Sequence, residues 1–241
     1  MLRYSAHLPL KGIGDAGQQR IGASHVALIG AGGLGCAIAQ YLVASGVGEL
    51  TLCDFDKVSE SNLARQILYR QADIGHLKTE AASEALKALN PDMRLHTITR
   101  RMTDEDMLAL FPACDLVIDA SDNYGTRLAV NRACLALKKP WIMASCIRME
   151  GQIMMLRPDQ ASQACYRCVY GHAPDTLEDC PGAGIFAPVA GIVGASAAHF
   201  ALAHLAGMSR PAGLHLVDAA NWQWRSIGIH ETEACKDCGR G

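Results

Sequence analysis

The chain has 241 residues, 22 basic against 24 acidic side chains and a net charge of −2, enough for one large α/β domain or two small ones and no basic field for nucleic acid. There is no Lys/Arg-rich run, no stretch of about 18 uninterrupted apolar residues and no signal-peptide pattern in MLRYSAHLPLKGIG, so neither a membrane span nor export is expected. Of ten cysteines, four form two C-x-x-C pairs and the rest stand singly, which reads as a cytoplasmic chain and not a disulfide scaffold.

In chain order, residues 1–24 are polar and mixed, with a short helix expected over 15–21. A short apolar run at 26–29 then breaks at Gly30-Ala31-Gly32-Gly33-Leu34-Gly35. A helical pattern over 36–44 and a second apolar run over 50–53, stopping at Asp54, follow. Strand, glycine turn, helix, strand and acid make the order of a mononucleotide-binding βαβ unit. Glycines let the backbone come close to phosphate, the N–H groups opening the helix favour an anion, and the acid can accept from ribose hydroxyls. A glycine turn alone also serves plain strand–helix packing; the strand before it and the acid about 20 residues later point to a nucleotide.

Residues 57–69 begin as a polar turn and become a short helix. Residues 77–89 form an amphipathic helix stopped by Asn90-Pro91. A strand over 94–99, a helix over 104–111, a buried strand over 115–120, a helix over 125–137 and a strand over 140–146 continue the alternation. The expected class is therefore α/β: a Rossmann-like, mostly parallel sheet with helices on both faces. Beyond 151 the pattern changes to a strand at 152–156, an irregular stretch at 170–188, a small-residue helix at 189–205 and two closing strands near 214–217 and 224–229. These extend the sheet with antiparallel strands. No repeat or linker divides the chain, so 1–241 is expected to be a single domain, with a nucleotide half to about 146.

Several groups of residues carry chemistry. Asp54-Phe55-Asp56, then Ser61, Asn62 and Arg65, then Lys78, place amide and cationic donors where they can meet a triphosphate; the bland alternative is a solvated loop. Asp122 and Asn123 follow the 115–120 strand at the sheet edge that faces the ligand crevice. Asp122 there can hold magnesium and Asn123 can fix the base or the loop, or both can serve as turn former and helix cap. Cys165, Cys168, Cys235 and Cys238 form two knuckles able to close a tetrahedral four-thiolate zinc site that pins the C-terminus to the body. Cys180, in EDCPGAG, is either a nucleophile or an inert surface thiol. Cysteines 36, 53, 114, 134 and 146 read as small core residues.

These features, with Arg3-Tyr4-Ser5, the YLVASGVGELTLCDFDKV run, SNLARQ, IRMEGQI, CYRC, AGIFAPVAGIVG and the terminal CKDC, resemble the ThiF/MoeB/HesA family, bacterial relatives of ubiquitin-activating enzymes, over nearly the whole chain. The resemblance implies an adenylyltransferase that binds ATP and Mg2+. It would join AMP to the C-terminal Gly-Gly carboxylate of a ubiquitin-like sulfur-carrier protein, for thiamin or molybdopterin synthesis. It implies that Gly30, Gly32, Gly33, Asp54 and Asp56 hold the nucleotide, and that Ser61, Asn62, Arg65 and Lys78 contact phosphates and ribose. Asp122 would be the magnesium ligand beside Asn123, the four knuckle cysteines would hold Zn2+, and Cys180 would be the family's loop cysteine. A homodimer, a carrier-binding second half over 147–241, and a separate sulfur donor of desulfurase or rhodanese type are implied as well.

Two positions depart from the family pattern. Ala6 stands where a second arginine usually reaches the partner subunit's ATP site, and Ala64 replaces a glutamine in N-L-Q-R-Q. Losing a positioned arginine at a phosphoryl-type transition state can cost several powers of ten in rate. This motivates an alternative, an adaptor that binds nucleotide and carrier without turnover; Lys11 and Arg20 are the nearby cations that would substitute. A nicotinamide oxidoreductase is the reading the glycine turn alone would permit.

Overall fold

The computed structural model describes residues 2–160, 164–171, 184–208, 212–232 and 235–239. The first apolar run becomes β1 (His25–Ile29), in which all residues after His25 are buried. It pairs in parallel with β2 (Glu49–Cys53) on one side and β4 (Leu116–Asp119) on the other. β3 (Arg94–Ile98) adds to β2 and β5 (Trp141–Ile147) to β4, again in parallel. Strands covered on both faces need apolar residues at every position, which is why VALI and LVI lack alternation.

Beyond β5 the direction reverses at each strand. β6 (Glu150–Leu156), β7 (Gly213–Asp218) and β8 (Gln223–Ile227) form an antiparallel extension, completing an 8-stranded sheet in the order β3-β2-β1-β4-β5-β6-β7-β8. α1 (Gly14–Ala23), α2 (Gly33–Ala44), α3 (Lys78–Leu89) and α7 (Ala187–Leu205) cover one face. There Val26, Leu28, Leu50, Leu52 and Ile118 meet Ile38, Leu42, Leu86 and Val193. α4 (Asp104–Leu110), α5 (Tyr124–Leu137) and α6 (Tyr166–Tyr170) cover the other, where Ala27, Ile29, Val117 and Trp141 meet Met107, Phe111, Leu128 and Tyr166. Alternate residues of one strand thus feed two separate cores, the period-2 geometry of a pleated strand.

Among the described residues α7 alone is long and apolar enough to cross a membrane. It packs on α2, β5 and β6, with Val189, Val193, Ala197 and Ala201 buried, the setting of a core helix. It begins two residues earlier than its apolar pattern, because Pro188 occupies the first turn, where a missing N–H costs nothing. The short helix expected within 57–69 is instead a single 3₁₀ turn at Glu60–Asn62 followed by turns. An antiparallel bridge between Lys57 and Leu77, with the Lys78 N–H donating to Asp56 O at 2.9 Å, ties both ends of this loop down.

Candidate active site and metal centre

Strand order changes direction between β1 and β4, and in an open α/β sheet the crevice outside the carboxyl ends at that point receives the ligand. Gly30 follows β1 with φ 93°, and a Cβ there would lie 2.8 Å from the carbonyl oxygen of Ala120. A Cβ on Gly35 would overlap the Gly30 carbonyl, so the turn closes only with glycine at both places. The chain then enters α2 with Gly32 as N-cap and no side chain capping it, leaving the first N–H groups of α2 directed at the crevice.

A cavity of about 570 Å³ opens there, lined by Gly30, Gly32, Gly33, Asp54, Asp56, Asn62, Arg65, Lys78, Asp122 and Asn123. The nucleotide residues singled out between Gly30 and Asn123 therefore meet around one space, with Ser61 as the exception. The charge balance there is opposite to that of the chain. Lys57, Arg65, Lys78, Arg100, Arg101 and Arg127 face only three carboxylates, so the wall is cationic although the net charge is −2. Such a wall suits a polyanion.

Asp54 accepts from the N–H of Ala31 at 2.7 Å and of Asp56 at 2.8 Å. Burial raises its pKa above the ordinary aspartate value, against the pull of Lys78 and these two N–H groups. Lys78 is itself buried, with Nζ 2.8 Å from Asp56 and 3.9 Å from Asp54, so its charge is already compensated inside the protein. Asn62 folds back in a capping box with Ser59, and Arg65 donates to the Ser61 carbonyl at 3.2 Å. On the opposite wall Asp122 is exposed, and Asn123 caps α5, accepting from Thr126 N–H at 2.7 Å. For Asn123 the helix-cap reading is therefore the observed one.

Arg127 escaped the sequence reading. It sits one helical turn after Asn123, lines the cavity, and donates to the Ser121 carbonyl at 2.7 Å, fixing the loop that carries Asp122. Asp119, fully buried beneath it, accepts from Ser121 N–H at 2.8 Å and has its pKa raised by burial, with the Arg127 charge opposing. Buried polar atoms without a hydrogen-bond partner gather here: Gln66 Oε1, Ser121 Oγ and Arg127 Nε on the cavity wall, and Asp119 Oδ2 next to it. Unsatisfied groups are rare in native interiors, and their concentration marks a wall built to meet something polar.

Some expectations are not met by this cavity. Ser61 is exposed and lies outside the lining, its hydroxyl 3.0 Å from that of Ser59. Cys180 lies outside the described residues. Cys146 is not a fully buried core residue: β5 runs past the core to the crevice, leaving this thiol half-buried on the cavity wall with its pKa pushed up to about 11 by burial. Ala6 is exposed and away from this cavity, in a segment whose Tyr4 and Arg3 bond to Asn90 and Leu89 at the end of α3. Neither Lys11 nor Arg20 lines the cavity, and Arg20 donates to the Ala206 carbonyl.

The two knuckles do converge. Cys165 Sγ lies 3.8 Å from Cys168 and 3.5 Å from Cys235, and Cys168 lies 3.7 Å from Cys238. All four sulfurs fall within 4.8 Å of one another. Thiolates about 2.3 Å from a tetrahedral zinc stand about 3.8 Å apart, so the spacing fits zinc and is far too long for disulfides. Burial and the neighbouring thiols push the Cys238 pKa up to about 12, while at Cys168 hydrogen bonds outweigh burial and bring the thiol down to about 7, so the four sulfurs do not ionise alike. Asn131, fully buried on α5, accepts from Tyr166 N–H at 3.0 Å and donates to Asp237 at 2.9 Å, tying both knuckles to the body. Arg167 pairs with Asp237 at 3.1 Å from the other side.

A glycine turn at the switch point of a doubly wound sheet, opening on a cationic crevice with a carboxylate on each wall, defines a nucleotide-binding α/β protein. Residues 4–238 match the ThiF family, and the chain belongs to that family. It is 39% identical over 242 residues to the molybdopterin-synthase adenylyltransferase of Escherichia coli K12, spanning 100% of this chain and 97% of the relative. It is 40% identical to the sulfur carrier protein ThiS adenylyltransferase of the same organism, over 99% and 95% of the two chains. A sulfur carrier protein adenylyltransferase of Thermus thermophilus is 36% identical, over 98% and 90%. The fold is shared with E. coli MccB solved with ATP, at TM-score 0.80 and 23% identity over 93% of this chain and 69% of that one.

Proposed function

We propose that the protein adenylates the C-terminal Gly-Gly carboxylate of a ubiquitin-like sulfur-carrier protein, using ATP and releasing pyrophosphate. The convergence of the glycine turn, Asp54, Asn62, Arg65, Lys78 and Asp122 on one cationic cavity carries this reading. Relatives named for this activity at 36–40% identity over nearly the full chain support it. A carrier oxygen attacks the α-phosphorus, the bond to the bridging oxygen of pyrophosphate breaks, and an acyl-adenylate remains. The protein contributes position and charge. Asp54 takes the ribose hydroxyls, the N–H groups opening α2 and the side chains of Asn62 and Arg65 take phosphate oxygens, and Lys78 turns from Asp56 toward the charge developing there. Asp122 holds Mg2+, which when bound neutralises phosphate charge.

The four cysteines hold zinc in a structural role, since four thiolates leave no open coordination position. The enzyme works in the cytoplasm as a homodimer, with a separate protein supplying sulfur to the activated carrier. ATP–pyrophosphate exchange, measured with thiamin-type and molybdopterin-type carriers in separate reactions, tests the reading. Exchange with one carrier assigns the pathway; ATP binding without exchange on either carrier would refute adenylation.

A further inference from the structure

The four thiols of the cysteine cluster are not equivalent. Cys165 and Cys235 are 3% and 8% exposed, whereas Cys168 and Cys238 are only half-buried. In each knuckle the first cysteine is covered and the second is the one solvent reaches. The two half-buried sulfurs therefore come from different knuckles, and they lie 3.7 Å apart. Cys238, alone of the four, also lines a second cleft of about 470 Å³, whose wall carries Arg132, Lys138 and Lys236. The carboxylate on that wall, Asp237, is already engaged by Arg167 at 3.1 Å and Asn131 at 2.9 Å, so the surroundings of this sulfur are cationic.

Buried structural cysteines are inert toward soluble oxidants, and that description fits Cys165 and Cys235 but not the other two. We propose that Cys168 and Cys238 form a modification site, at which a hydroperoxide converts the metal clasp between the knuckles into a disulfide between them. This rests on the reading that the cluster holds structural zinc. A peroxide oxygen bonds to the Cys238 sulfur as the O–O bond breaks, and hydroxide leaves into the cationic cleft. The Cys168 sulfur then attacks that of Cys238; the S–S bond forms and the sulfenic oxygen departs as a second hydroxide. Two thiolates give up two electrons, one hydrogen peroxide accepts them, and two protons from solvent turn both hydroxides into water. The sulfurs have to close from 3.7 Å to a bond of about 2 Å. Cys165 and Cys235 are then the two ligands left, too few for a closed tetrahedral site, and zinc is released. A covalent link replaces the metal between the same two points, 70 positions apart in sequence.

The experiment uses the full chain, purified reduced and assayed for zinc, then exposed to a small excess of hydrogen peroxide. Metal release is followed with a chromogenic chelator. Free thiols are next blocked in denaturant, and the peptides are mapped by mass spectrometry without reduction. Loss of about one zinc per chain should accompany one new disulfide, between Cys168 and Cys238, with Cys165 and Cys235 recovered as blocked thiols. Dimedone present during a brief exposure should trap the sulfenic acid on Cys238. Dithiothreitol followed by zinc should restore the starting form. A disulfide within one knuckle, one between Cys165 and Cys235, or one that includes any other cysteine would overturn the proposal. Zinc retained with all four thiols reduced would overturn it too, while leaving the structural zinc site standing. Dimedone on Cys168 in place of Cys238 would overturn the route through the cleft. Reduced protein that purifies without zinc would remove the structural zinc reading and the modification site together.

Discussion

The nucleotide cavity and the four-thiol cluster lie along the same helix but are assembled in different ways. Asn123 caps α5 at the cavity, and Asn131, about 12 Å further along the axis, bonds both cysteine knuckles. The cavity is built mainly by backbone: a turn that admits only glycine, strand ends, and N–H groups that hold Asp54 and Asp119 in place. The cluster is built by side chains 70 positions apart in sequence, joined through one buried amide. A backbone-built site should survive loss of single side chains in shape and fail only in chemistry. A side-chain-built site should fail in shape.

The largest effect tests the first half of that contrast. Asp122→Ala should lower ATP–pyrophosphate exchange by about 10²–10³-fold, the scale of removing one charge-stabilising group, with the melting temperature unchanged because Asp122 is exposed. A matching fall in stability would mean that the loop depends on this side chain for its shape. The reverse outcome is expected at the cluster. Purified protein should contain about one zinc per chain, and Cys168→Ala or chelation should lower the melting temperature while releasing the metal. Metal-free protein that melts as the native form does would refute a structural zinc site.

A smaller effect is expected at the joint between the two regions. Asn131→Ala leaves the buried Tyr166 N–H without its acceptor and frees Asp237 from one of its partners. An unsatisfied buried group costs about 1–3 kcal/mol, which for a chain of this size lowers the melting temperature by roughly 2–4 °C per kcal/mol. The variant should also give up zinc faster to a chelator. Normal metal retention would show that the knuckles hold without the amide.

How much of this was legible beforehand follows the same division. The βαβ unit was readable because its signals are local: an apolar run, a glycine turn, a helical period and an acid, each within a few residues of the next. The helix expected within 57–69 does not form because the shape of that loop is set by the Lys57–Leu77 bridge, which no local pattern announces. Lys78 lines the cavity, and its pairing with Asp56 there depends on that loop. Arg127 and Asn131 lie four and eight residues after Asn123, a helical stripe visible in sequence, and were passed over because nothing local says what such a stripe faces. Cys146 looked like core because the sequence does not reveal where β5 outruns its cover.

The finest test separates charge from shape within the cavity itself. Asp119 is fully buried, and burial raises its pKa above the ordinary value of 3.8. As pH rises above 3.8, the unfolded chain gives up this proton before the native state does. The native state then binds more protons than the unfolded one, so this residue's contribution to stability declines with rising pH until the native carboxyl has also ionised. Asp119→Asn keeps an oxygen for the Ser121 N–H and removes the titration. Relative to wild type, the variant should gain stability as pH rises from about 4, followed as the midpoint of urea unfolding at each pH. A difference that stays constant as pH rises would mean that the Arg127 charge compensates the carboxylate fully, and that this attraction helps to hold the loop carrying Asp122.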